Sequence, residues 1–215
     1  MTGFLKRQAR RLKRSAAATI GRDAAPGEDN FDSARSWVLT LVPRDGVCVE
    51  IGTWKGDFSA RIITAGKPRV LHLVDPWEHR SDGPYADGWY GDRIGGQGGM
   101  DRVCDGVLER FRDQIGAGQV VVHRLPAGAA AARFDDESLD WVYVDGDHTF
   151  EGVKADLAHY FPKVKRGGML CGDDYGIPGW WEDGVTKAVD EFIASGTPSE
   201  PTIRGSQFVL RKPQP

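Results

Sequence analysis

Short apolar runs alternate along the chain with longer stretches in which apolar residues recur every three or four positions. The runs are Val47–Ile51, Val70–Val74, Val120–His123, Leu139–Val144 and Met169–Cys171; each has strand length and is rich in residues that favour pleated structure. Helical spacing begins near Asp57, Met100, Ala127, Thr149 and Gly184. Upstream, Phe31, Ala34, Trp37, Val38 and Leu41 follow the same period, which stops at Pro43. Strand, helix, strand repeated in this way predicts an α/β domain, with a parallel sheet covered on both faces by helices. Near the end, Ile203-Arg204 and Gln207–Arg211 flank Gly205-Ser206, the pattern of a hairpin that closes the sheet edge with an antiparallel strand.

One stretch, residues 78–99, has no period at all. It holds seven glycines, at positions 83, 88, 91, 95, 96, 98 and 99, together with Tyr85, Trp89 and Tyr90. Unstructured segments of this length inside compact domains are usually functional or disordered. The aromatic residues favour a mobile lid over a floppy insertion. Glycine is also abundant overall, 28 of 215 residues against a usual share of about 7%. It follows no collagen-like repeat, and seven tryptophans argue against a disordered chain.

The net charge of −3 hides a division. Residues 1–22 carry seven basic and no acidic residues, which leaves −10 on the remainder. Residues 1–29 therefore read as a basic arm followed by a breaker-rich linker, Ala24–Asn30, and residues 30–215 as the folded domain. The arm lacks the apolar stretch of a secretory signal; it is either a solvated terminal segment or a contact for an anionic surface. An acidic body disfavours nucleic acid as a partner. No run of apolar residues is long enough to span a membrane. Cys48, Cys104 and Cys171 are odd in number and without paired spacing, so they read as free thiols of a cytoplasmic protein, with no zinc motif.

In open parallel sheets, ligands bind beyond the carboxyl ends of the strands, and here those ends are polar. The first strand runs into Glu50-Ile-Gly-Thr-Trp-Lys-Gly56, where Gly52 and Gly56 permit tight turning and close approach of backbone to a ligand. The segment is neither the dinucleotide fingerprint nor a P-loop. The second strand ends in Asp75, placed to hydrogen-bond the hydroxyls of a ribose. The fourth and fifth strands lead into Asp145-Gly-Asp147-His148 and Asp173-Asp174-Tyr175. Neighbouring strands about 4.8 Å apart would bring Asp145, Asp173 and Asp174 to one rim, where a hard cation such as Mg²⁺ would offset their repulsion. His148 lies close enough in sequence to act as a base there, with Asp147 as the second candidate.

These motifs resemble those of the class I S-adenosylmethionine-dependent methyltransferases. The combination of Asp-Gly-Asp-His at 145–148 with Gly-Asp-Asp-Tyr at 172–175 resembles a narrower group, the metal-dependent, macrocin O-methyltransferase-like enzymes that methylate sugar hydroxyls. The resemblance covers Val47 to Phe192. It implies a Rossmann-like, doubly wound, mainly parallel seven-stranded sheet and a cofactor site of Glu50, Gly52, Thr53, Gly56, Asp75 and Asp145. Trp77 would either pack on adenine or serve as a buried structural residue. Tyr85, Trp89, Tyr90, Trp180 and Trp181 would either offer flat faces to a sugar ring or pack in the core or against a partner. Folds of this kind often form homodimers. Two departures stand out: Thr53-Trp54-Lys55 takes the place of further glycines, and Pro126-Ala127-Gly128 replaces the small-plus-acidic pattern after the third strand. A phenol or catechol acceptor would use the same cofactor site. An RNA-directed protein docking through the basic arm is the remaining alternative.

Overall fold

The computed structural model describes residues 28–81, 85–86, 88–197 and 199–214. The basic arm, residues 1–22, lies outside the described residues. In chain order the elements are α1 (Glu28–Leu39), β1 (Val47–Ile51), α2 (Asp57–Gly66), β2 (Val70–Asp75), α3 (Gly96–Arg110), α4 (Arg112–Gly116), β3 (Val120–Arg124), α5 (Ala127–Ala131), β4 (Leu139–Val144), α6 (Phe150–Tyr160), β5 (Val164–Gly172), α7 (Gly184–Ala194), β6 (Glu200–Arg204) and β7 (Gln207–Arg211). The strands form one seven-stranded sheet in the order β3-β2-β1-β4-β5-β7-β6, in which β7 alone runs antiparallel to its neighbours. The expected doubly wound α/β architecture is therefore the observed one.

Alternation along the strands builds two cores, because successive side chains leave a strand on opposite faces. Val49, Ile51, Val142 and Val144 point to the face covered by α5, α6 and α7. Cys48, Leu71, Leu73, Trp141 and Tyr143 point to the face covered by α1, α2 and α3. Trp141 and Tyr143 stack almost parallel, 5.6 Å between ring centroids, in the second core.

Several boundaries differ from the sequence expectation. The linker expected at Ala24–Asn30 overlaps the start of α1, because the breaker residues end at Gly27 and the helix begins at Glu28. β5 starts at Val164 rather than Met169: the strand continues through a register shift against β4, with Gly167 at φ 77° taking up the irregularity that breaks the apolar pattern. The 78–99 segment is shorter as a loop than its glycines suggest. A 3₁₀ turn covers Asp92–Ile94, and α3 begins at Gly96 rather than near Met100. Gly99 lies inside the helix because a Cβ there would come within 1.9 Å of the Ile94 carbonyl oxygen.

At the β2–β3 edge, His72 Nδ1 and His123 Nε2 lie 3.0 Å apart, next to the Phe134 ring. Burial, reinforced by His123, pushes His72 down to about 4 from its ordinary 6.5. Burial and the nearby Arg133 lower His123 as well. Folding thus holds these rings neutral. The stability this permits is complete above pH 6.5 and declines as pH falls toward 4, where unfolded His72 gains a proton that the folded chain resists. The melting temperature of His72→Gln is accordingly expected to rise relative to wild type as pH is lowered across that interval, read by thermal denaturation of both proteins at each pH.

Candidate active site

The cleft forms where β1 and β4, adjacent in the sheet, send their following segments to opposite sides. Gly52 sits at this point with φ 86°, and a Cβ built on it would lie 2.0 Å from the Asp145 carbonyl oxygen. Only glycine fits there. The crossing is pinned by hydrogen bonds from Asp145 N to the Ile51 oxygen and from Gly52 N to the Val74 oxygen, each 2.9 Å.

Two cavities open on either side of Gly52 and Gly146, which line both, as do Tyr85, Tyr90 and Trp180. The first, about 280 Å³, lies between Asp75, Pro76, Pro126, Gly128 and Asp156. The second, about 570 Å³, is walled by Trp54, Trp89, Trp181, Asp145 and His148.

Asp75 ends β2 fully buried, and three donors hold its carboxylate: Trp54 N at 2.9 Å, Trp77 N at 2.7 Å, and the Tyr90 hydroxyl. Burial raises its pKa against those hydrogen bonds. Trp54 and Trp77 both adopt left-handed backbone, φ 51° and 40°, an uncommon conformation for residues with side chains; in each the amide that donates to Asp75 is the one the strained turn presents. Trp77 is fully buried, and its indole donates to the Trp54 carbonyl at 2.9 Å. Of the two roles open to it, the structure favours the buried one, and Trp77 lines neither cavity. Glu50 is also buried and accepts a hydrogen bond from Ser59. Burial, opposed by Ser59 and reinforced by Asp145 and Asp75, pushes it up to about 8. Thr53 is buried, and its hydroxyl has no partner among the described residues. Gly56, at φ 76°, starts α2 with no room for a side chain, since a Cβ there would lie 2.6 Å from the Phe111 ring.

The acidic rim is divided differently from the sequence expectation, which joins Asp173 to Asp145 and Asp174 around a cation. Instead both oxygens of Asp173 are engaged, by Arg35 Nε at 2.6 Å, Ser206 Oγ at 2.7 Å, Gln207 Nε2 at 2.5 Å and the Asp174 amide at 2.8 Å. The carboxylates that remain are bridged by histidine: His148 Nε2 stands 3.3 Å from Asp145 Oδ1, and Nδ1 stands 3.2 Å from Asp174 Oδ2. Asp145, His148 and Asp174 offer ligand atoms all within 4.8 Å of one another. Burial would lower His148, but Asp145, Asp174 and Asp173 outweigh it and hold it above its ordinary value. Asp174 is pushed up to about 6 by burial, with Asp173 and Asp145 adding to the shift. Asp147, the second candidate base, has both carboxylate oxygens engaged. One oxygen accepts from Thr149 N and Oγ1 at 3.0 and 2.8 Å, fixing the start of α6, and the other accepts from the Tyr85 hydroxyl at 2.7 Å.

Aromatic rings close the second cavity. Trp181 meets the His148 ring edge-on at 4.5 Å, Trp180 meets Trp181 at 5.4 Å, and Tyr85 meets Trp180 at 5.2 Å. Arg80 lies 3.8 Å over the Tyr85 ring. Across the cleft, Trp54 contacts Tyr90 at 5.1 Å and Trp89 at 6.2 Å. Trp89 and Trp180 remain exposed.

Three contributors carry no sequence signal strong enough to mark them. Arg35 reaches Asp173 and Asp145 from α1, 138 and 110 residues away. Trp54 occupies a position where a glycine is the usual expectation. Asp156 interrupts the buried stripe of α6, between Val153, Leu157 and Tyr160; a carboxylate at core-facing helical spacing is the signal that could have revealed it.

A doubly wound sheet with ligand-sized cavities at its topological switch and acidic residues closing β1, β2 and β4 defines a nucleotide-cofactor enzyme of Rossmann-like build. The model of the methyltransferase-domain family matches residues 49–175, more than half the chain, and the chain belongs to that family; it is an S-adenosylmethionine-dependent methyltransferase. No curated protein sequence matches it. Among solved structures it is similar to the O-methyltransferase NovP, with 21% identity over 89% of this chain and 84% of that one and a TM-score of 0.59. TomG from Streptomyces achromogenes, an O-methyltransferase involved in tomaymycin synthesis in complex with SAM, gives 16%, 88%, 82% and 0.57. An rRNA methylase from Streptococcus thermophilus gives 10%, 88%, 100% and 0.56. At these identities the likeness is one of fold. No helix among the described residues is long and apolar enough to cross a membrane.

Removing Arg35 would leave Asp173, itself almost fully buried, without its cation. Arg35→Gln is expected to cost roughly 2 kcal/mol, since Ser206 and Gln207 keep their hydrogen bonds. Urea unfolding of the variant measures it.

Proposed function

We propose that the protein is a metal-dependent O-methyltransferase acting on a sugar hydroxyl. The observation that carries this reading is the Asp145–His148–Asp174 cluster at the mouth of an aromatic-walled cavity, directly across Gly52 from the cavity that holds Asp75. In this reading Asp75 holds the ribose, Glu50 and the Gly52–Gly56 turn face the methionine end, and the acceptor enters between Trp54, Trp89, Trp180 and Trp181. Those rings suit the apolar faces of a pyranose, leaving its hydroxyls to the polar rim. The acceptor at the narrowest resolution of the sequence resemblance is the 1-hydroxyl of a 3-O-methylated mannoside, as in the capping step of methylmannose polysaccharide biosynthesis.

The donor set fits a hard cation. Asp145 and Asp174 present carboxylate oxygens crowded enough to raise both pKa values through burial first and through neighbouring carboxylates as well. Mg²⁺ typically takes one or two carboxylates and fills its remaining positions with water or substrate oxygens. Asp173 stays with Arg35. Once bound, the cation would lower the pKa of the acceptor hydroxyl, and S-adenosylmethionine would supply the electrophilic methyl group. With a cation taking up the charge of Asp145 and Asp174, which otherwise favours protonated His148, the neutral imidazole would accept the hydroxyl proton. Held by Asp75 and the Gly52–Gly56 turn, the cofactor would supply that methyl group from its sulfonium sulfur to the acceptor oxygen and would leave as S-adenosylhomocysteine. Trp181, edge-on to His148, and Asp174 at Nδ1 keep the imidazole aimed at the second cavity.

His148→Ala is expected to lower kcat by about 10²–10⁴ with the affinity for S-adenosylhomocysteine unchanged. EDTA should abolish transfer and Mg²⁺ should restore it; activity indifferent to chelation would overturn the metal. A panel of mannosides, glucosides and catechols with labelled cofactor tests the acceptor class, and methylation of catechols alone would replace the sugar by a phenol. Deleting residues 1–22 should leave transfer to a small acceptor largely intact, whereas an RNA-directed enzyme would lose it.

A further inference from the structure

Asp156 lies in the second half of α6 and is 5% exposed. No hydrogen bond or ion pair engages its carboxylate among the described residues, although it lines the cavity on the Asp75 side of Gly52 and is absent from the lining of the aromatic cavity. Burial, with the charge of Asp147 adding to it, pushes it up to about 7. A buried carboxyl group without a partner is costly, and here it faces open space rather than packed side chains.

The surroundings say what that space would take. Ile51, Val74, Pro76 and Pro126 supply apolar surface, and the Pro126-Ala127-Gly128 turn in the same lining offers no polar side chain. That wall is close-set, since a Cβ on Gly128 would come within 3.2 Å of the His159 ring. Of the three carboxyl groups on this lining, Asp75 and Asp147 already have donors, so a slot with these apolar sides and Asp156 left to pair suits a flat heteroaromatic ring that carries an exocyclic amine.

We propose that Asp156 recognises the base of the cofactor, accepting a hydrogen bond from the 6-amino group of adenine, and so takes over from α6 the role that no acidic residue after β3 fills. The inference rests on the cofactor reading of this cavity given above. When protonated, the same carboxyl group donates to the adjacent ring nitrogen while its other oxygen still accepts from the amine, so both protonation states serve adenine. The amine gives Asp156 the donor it lacks.

Calorimetric titration of the full-length protein with S-adenosylhomocysteine, and with its analogue bearing purine in place of adenine, tests the assignment by binding alone. Wild type is expected to lose about tenfold or more in affinity for the purine analogue. Asp156→Leu should bind both ligands with the same weak affinity, and Asp156→Asn, whose amide keeps an acceptor and a donor, should retain most of the discrimination. The Leu variant should also melt higher than wild type without ligand, because it removes an unpartnered buried carboxyl group; this separates loss of recognition from loss of fold. Equal affinity of wild type for the two ligands would overturn the role of Asp156 while leaving the cofactor site standing. No binding of S-adenosylhomocysteine to folded wild type would overturn the cofactor reading and the inference together.

Discussion

The contact between Gly52 and the Asp145 carbonyl is the constraint on which the cleft depends. Two parallel strands end side by side, and their continuations must separate within a residue or two without opening a gap in the sheet. A side chain at position 52 would push the β4 end away, since its Cβ would overlap the Asp145 oxygen at 2.0 Å. With glycine there, Asp145 N bonds to the Ile51 oxygen and ties the β4 continuation to β1, Gly52 N bonds to the Val74 oxygen of β2, and the cavities fall on either side of Gly52. The residues that line both cavities, Gly52 and Gly146 among them, are the shared wall across which donor and acceptor chemistry would have to meet.

Around that wall the protein concentrates negative charge that it must then support. Glu50, Asp75, Asp145, Asp173 and Asp174 lie at four consecutive strand ends, in the order β2, β1, β4, β5. Each is stabilised differently. Asp75 has backbone amides and a phenol, Glu50 a serine hydroxyl, Asp173 a guanidinium with two side-chain donors, and Asp145 and Asp174 share an imidazole. Asp173, caged by a guanidinium and two side-chain donors, is structurally committed. Asp145 and Asp174, supported chiefly by His148, and Asp156, without a partner among the described residues, keep the most capacity for ligands.

Much of this is legible in the sequence. Strand ends bearing Glu50, Asp75 and Asp145 stand out because apolar runs mark strands and the following polar residue marks the rim. The antiparallel final strand follows from Gly205-Ser206. Local patterning fails where a long-range partner decides the outcome. Nothing near Asp173 indicates that Arg35 and Gln207 would claim it, so the pattern suggests three equivalent aspartates where one is withdrawn. Asp147 looks like chemistry because it sits between Gly146 and His148, yet its oxygens hold Thr149, the cap of α6, and Tyr85. Glycine-rich 95–99 looks like loop, although close approach to Ile94 explains Gly99 within a helix.

The cage around Asp173 also bears on the order in which the molecule is completed. Its partners come from α1, near one end of the described chain, and from Ser206 and Gln207 at the start of β7, near the other. During synthesis, Asp173 emerges long after Arg35 and before Ser206 and Gln207, so its carboxylate lacks two of its donors until the final hairpin docks. Contacts separated by this much sequence carry a high loop-closure cost. The acidic rim is therefore complete only when segments from both ends of the described chain have come together around Asp173.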